Sequence, residues 1–173
     1  MIEHVKSKWK KIRFAPENTR GDINEKLTKK SVDLTLLHNS VYIIRLAGAF
    51  AVDYEKAISP VLYIGEGHFR GRLVRHRKWL GKLHALIPET PIEVKFCYPS
   101  NAVGSPINKE LEGYLIHEFK RRFGELPLHN ERQEKVSADY SFDTSNIGHL
   151  LGPGAGKKYD WVIRPLKPRP LRS

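Results

Sequence analysis

Arg72 and His76 stand four residues apart just after a pair of glycines, and this is where the sequence concentrates groups able to do chemistry. Residues 61–76 read VLYIGEGHFRGRLVRH. An apolar run (Val61, Leu62, Tyr63, Ile64) ends at Gly65, Gly67 follows, and six Lys or Arg side chains lie between Arg70 and Lys82 with no acidic one among them. Glycines admit a backbone or a ligand at close range, and side chains four apart share one face of a helix, so the stretch reads as a phosphate site. The other residue that stands out is Glu112. It falls inside an apolar arc made by Ile107, Leu111, Leu115, Ile116, Phe119 and Phe123 at helical spacing. A carboxylate on an apolar face is costly unless it is ion-paired or holds a cation. A structural pair with an arginine of the preceding helix and a metal site both meet that need. Glu118 lies near the edge of the same arc, so helical position alone leaves two carboxylates open, while Glu110 points to solvent.

The elements that position these residues follow from the hydrophobic pattern. Ser40–Leu46 (SVYIIRL) is β-branched and aromatic and predicts a buried strand. Val61–Ile64 predicts a second strand, paired with the first as a hairpin across a long connection, 47–60. A helix starts near His68 and turns Phe69, Leu73, His76, Leu80 and Leu83 inward, with Arg72 and His76 along the edge of that arc and fraying or a break toward its C-terminal end at Gly81. Ile92–Tyr98 is a third strand. Ser105 and Pro106 supply an N-cap and first helical residue for a second helix, which runs to about Phe123 and is closed by Gly124. This gives an α+β domain, a small three-stranded mixed or antiparallel sheet flanked by helices, over residues 34–130. Residues 1–33 form a basic N-terminal extension with a short helix near Ile23–Lys30, and with Trp9, Ile12 and Phe14 to pack it down. Residues 131–173 form a C-terminal extension ending in a basic, proline-rich tail. Gly152–Lys157 is no phosphate loop, because Lys158 stands where Ser or Thr is required.

Composition bounds the function. The 173 residues carry 30 Lys and Arg against 19 Asp and Glu, a net charge of +11. That excess favours polyanions, nucleic acid first. One cysteine, Cys97, allows neither an internal disulfide nor a zinc cluster. No apolar run reaches the roughly 20 residues of a membrane span, and the charged start MIEHVKSKWKKIRF lacks the apolar core of a secretion signal. The expectation is an intracellular, cytoplasmic protein with no membrane partner.

Tyr42 within SVYII, Tyr63-Ile64-Gly65, Arg72-Leu73 with His76 beyond, Glu112 within LEGYLI, and Pro127-Leu-His-Asn130 occur in the order of the GIY-YIG nuclease family. Over about residues 40–130 the chain resembles that family, in its restriction-like or phage branches. The resemblance implies a metal-dependent endonuclease that hydrolyses DNA phosphodiesters. Tyr42, Tyr63, Arg72, His76 and Glu112 would be catalytic, with Glu112 holding one Mg²⁺ (or Mn²⁺) and Arg72 clamping the phosphate. Tyr42 would orient or deprotonate the water, Tyr63 would bond phosphate or water, and His76 would shuttle a proton. Gly65, Gly67 and Asn130 would shape the site, and Arg70, Arg75, Arg77 and Lys78 would contact nucleic acid. The resemblance also selects Glu112 over Glu118. It departs from the family at Ser40, where a glycine is usual, in its longer loops, and at Glu66, an acid beside the site. Duplex DNA is the expected partner, and a homodimer would suit symmetric cutting. The alternatives are a catalytically inactive DNA- or RNA-binding protein that retains the nuclease fold, and a basic RNA-associated structural protein.

Overall fold

The computed structural model describes residues 3–5, 7–15, 17–88, 91–99, 106–133, 136, 139–143, 145–153 and 159–164. In chain order the elements are β1 (Glu3–Val5), β2 (Lys10–Phe14), α1 (Arg20–Thr28), β3 (Ser40–Leu46), β4 (Phe50–Asp53), β5 (Ile58–Ser59), β6 (Val61–Gly67), α2 (Phe69–Leu86), β7 (Ile92–Cys97), α3 (Pro106–Phe123), β8 (Tyr140–Phe142), α4 (Ile147–Leu151) and β9 (Trp161–Ile163). The fold is α+β, as expected. Its main sheet has the order β2-β7-β3-β6 and is antiparallel throughout.

β3, buried along its whole length, is a central strand. Its alternate side chains point to opposite faces of the sheet. Tyr42 meets Phe69 of α2 with ring centroids 5.4 Å apart, and Phe69 stacks on Phe96 of β7 at 5.7 Å, so α2 covers that face. On the other face Arg45 donates to the carbonyls of His149, Leu150 and Gly152 at 2.9–3.0 Å, and the Ser59 hydroxyl donates to that of Leu151 at 2.5 Å. Four successive carbonyls at the end of α4, which no helical N–H can satisfy, are thereby bonded. α4 packs beside α3, and α3 against β3 and β6.

Three expectations need correction. The main sheet has four strands, not three: β2 pairs with β7, which buries Ile12 and Phe14 (1% and 4% exposed) and leaves Lys11 and Arg13 exposed. The connection 47–60 is not a plain loop, because β4 and β5 form a second sheet with β9. α2 runs through Gly81 to Leu86 without a break. The hairpin pairing of β3 with β6 is present, and β6 runs three residues past Ile64, so Gly65 and Gly67 lie in the strand itself. α1 begins earlier than expected, where Thr19 and Asp22 form a capping box. Gly124 closes α3 at φ +88. Residues 131–150, silent in the sequence, supply β8, which pairs in parallel with β1, and α4. The N-cap Ser105, loop residues 154–158 and the tail from 165 lie outside the described residues.

Candidate active site

β6 is an edge strand of the main sheet, and its outer edge needs partners. Asn130 provides them. Its Oδ1 accepts from Ile64 N at 3.0 Å and its Nδ2 donates to Ile64 O at 2.8 Å, while His129 N donates to Leu62 O at 3.0 Å. Over that edge lies a cleft of about 480 Å³, lined by Tyr63 and Glu66 of β6, Arg72 of α2, Glu112 of α3, and His129 and Asn130.

Tyr42 and Tyr63 meet beside the cleft because Gly65 makes room for them. Gly65 stands opposite Tyr42 in the β3–β6 ladder. A Cβ there would lie 2.5 Å from Tyr63 Cε1, 2.9 Å from Tyr63 Oη and 3.0 Å from Tyr42 Oη. Gly67 is required for its backbone, at φ +95, and a Cβ there would meet the Arg72 guanidinium only at an ordinary contact distance of 3.6 Å. Arg72 is half-buried, lies beside Tyr63 on the cleft and pairs with Glu66 at 3.5 Å. Glu112 is half-buried and acts electrostatically on Tyr42, Tyr63 and Arg72 together. Glu118, by contrast, is engaged by Arg121 and Arg122 at 2.7 and 3.4 Å.

The protonation states follow from burial and partners. Burial pushes the Tyr42 phenol far up, reinforced by Tyr63, so it stands as a neutral hydroxyl. Tyr63 is raised by burial and by the charge of Glu112. His76 is lowered to about 4 by burial and then by Arg72, which leaves it a neutral imidazole near pH 7. The Trp79 indole Nε1–H, which can only donate, points at His76 Nδ1 at 3.1 Å. Nδ1 is therefore the acceptor, Nε2 carries the hydrogen, and it donates to Tyr42 Oη at 3.2 Å. The same indole stacks on the His129 ring at 3.8 Å. Trp79→Phe keeps an aromatic ring there but removes that donor. The expected result is a shift of His76 from one tautomer to a mixture, read from its ¹⁵N ring shifts; a wild-type protein with hydrogen on Nδ1 would contradict the assignment.

The proposed nucleic-acid contacts divide. Arg75 and Lys78 are exposed on α2 beside the Arg72 face. Arg77 is half-buried and its guanidinium donates to the Asn18 carbonyl, which ties α2 to the N-terminal segment. The Arg70 side chain lies outside the described residues. Sequence reasoning missed Trp79 and the cleft residues Lys109, His129, Glu131 and Arg132. Trp79 had a signal, since it lies three residues after His76 on the same helix face. The others had none.

No family model matches the chain, and no curated protein or solved structure matches it.

Proposed function

We propose that the chain is a metal-dependent endonuclease of the GIY-YIG type that hydrolyses phosphodiester bonds in DNA, with duplex DNA the favoured substrate. One observation carries the reading. Tyr63, Arg72 and Glu112 line one polar cleft at the β6 edge, and Tyr42, buried behind Tyr63 and bonded by His76, joins them from 70 residues before Glu112 in sequence. Arg72 offers a planar fork of donors suited to a phosphate. Tyr42, held by His76 and wholly buried, can act on a water in the cleft only through Tyr63, which lines it. The raised pKa of Tyr42 makes it an orienting group first, and a base only once added positive charge favours the phenolate.

The donor set fits a hard divalent cation. Among the described residues no group of three or more His, Cys, Asp or Glu could hold a metal by itself. Mg²⁺ takes one or two carboxylates and keeps several waters, which matches Glu112 at a polar cleft with Glu66 and Glu131 on its lining. When bound, such a cation stabilises negative charge in the transition state and makes its water more acidic. Glu66 on Arg72 favours the second reading, a nucleic-acid-binding protein without turnover, because the phosphate clamp is already engaged.

Supercoiled plasmid incubated with the protein in Mg²⁺ or in EDTA separates the two. The expected result is nicked or linear DNA in Mg²⁺ and none in EDTA. Binding without cutting across several divalent ions, on branched DNA and RNA as well, would leave the binding protein as the account.

A second prediction concerns Gly65→Ala. The new methyl collides mainly with the far end of the Tyr63 ring, which can swing into the cleft, so folding changes by about 1 kcal/mol or less. The tyrosine pair is displaced, and cutting is expected to fall about 100-fold, since a 1 Å misplacement costs that much. Unchanged cleavage with an unchanged melting temperature would remove the tyrosine pair from the site.

A further inference from the structure

Away from the cleft, the densest charge lies at the opposite edge of the main sheet. There β2 is the edge strand, and Lys11 and Arg13 on it meet Lys26, Lys29 and Lys30 around a groove of about 450 Å³. Ile12 completes the lining. Lys11 also borders an adjoining groove of about 730 Å³ with Lys8, Lys10 and Lys95. The lysines come from β2, α1 and its following turn, and β7, so three separate segments bring them to one place.

The local acids do not neutralise this surface. Glu25 pairs with Lys29 at 2.6 Å, but both are exposed and the pair is screened by salt. Glu93 pairs with Arg13 from within the sheet, and Asp143 lies on the second groove. Lys10 and Lys26 donate to the Ser31 and Arg13 carbonyls. Lys11 stands directly opposite Lys95 in the β2–β7 ladder, and like charges so opposed are destabilising. Lysines on an edge strand also discourage pairing with another sheet, which accounts for one or two of them but not for those of α1. The shape fits a linear polyanion. Five residues of β2 at about 3.3 Å each extend about 16 Å, about the axial rise of five base pairs of a duplex.

We propose that the β2–α1 edge is a second nucleic-acid contact, which holds a phosphate backbone apart from the cleft at β6. The inference rests on the nucleic-acid partner of the proposed function and not on cleavage. The test is fluorescence anisotropy with a labelled DNA duplex in EDTA, from about 50 to 300 mM salt. For Lys11→Ala/Lys29→Ala/Lys30→Ala, the plot of log affinity against log salt is expected to flatten by about 2–3 in slope, since each lost phosphate contact removes about 0.9. Affinity at the lower salt is expected to fall at least tenfold. The matching Lys→Arg triple keeps the charge and should keep the slope. An Ala triple with the wild-type slope overturns the proposal even if the protein cuts DNA. A flattened slope supports it even if the protein never cuts, so the two readings fail separately.

Discussion

Glu112→Gln is expected to lower DNA cutting about 10³-fold, equivalent to about 4 kcal/mol of transition-state stabilisation. Duplex affinity in EDTA should stay within a few-fold. The substitution keeps the shape and polarity of the side chain and removes its charge alone. On the proposed function, affinity would come from cationic groups elsewhere, whereas charge stabilisation at the cleft would depend on a group that can hold a divalent cation. A second readout does not need turnover. The negative charge of Glu112 helps raise Tyr63, next after burial. Without it Tyr63 should ionise at lower pH, visible as an earlier phenolate absorbance in an ultraviolet titration. Full cutting by Glu112→Gln would sink the metal role. An unmoved tyrosine titration would place the carboxylate farther from Tyr63 than the cleft has it.

What could be read from the chain beforehand follows the range of the interaction concerned. β3 and both ends of α3 were legible because burial of SVYIIRL, a proline at a helix start and the glycine after Phe123 are local signals. β2 was not. Its two buried residues are too few to set a period, and the strand exists because β7 offers it a ladder. Arg72, His76 and Glu112 were legible as chemistry from spacing and from a charge on an apolar arc. The role of Gly65 needs three dimensions, since it depends on two tyrosine rings arriving over one Cα from neighbouring strands. The hydrogen on His76 Nε2 likewise depends on which atom of Trp79 faces the ring. Arg45 is the clearest case of a hidden residue: one charge in an apolar strand carried no motif, yet it binds three carbonyls more than 100 residues away in sequence.

Arg45→Met is expected to destabilise the protein by about 3–5 kcal/mol, the usual result of stripping one partner from a buried ionic network. In a chain of this size that lowers the melting temperature by roughly 6–20 °C. Arg45 and Glu93 are 4% and 6% exposed and stand opposite each other in the β3–β7 ladder, 3.7 Å apart. Arg13 closes the row from β2 at 3.0 Å. Removing Arg45 leaves Glu93 with a single, largely exposed partner and strands the carbonyls at the end of α4. Methionine fills the volume, so a cavity is not the cause. The network also fixes a pH dependence. Burial alone would raise the Glu93 carboxyl, but the hydrogen bond from Arg13 and the charges of Arg45 and Arg13 outweigh it and hold the group below the usual glutamate range. A carboxyl lowered on folding stabilises above its unfolded value, and that contribution is lost as pH falls through the folded one. Glu93→Gln should therefore flatten the acid limb of a chemical-denaturation series below about pH 4.5. Arg45→Met should flatten it in part, because Arg13 remains. If both variants melt with the wild type at neutral pH, the C-terminal segment is not held to the sheet through Arg45.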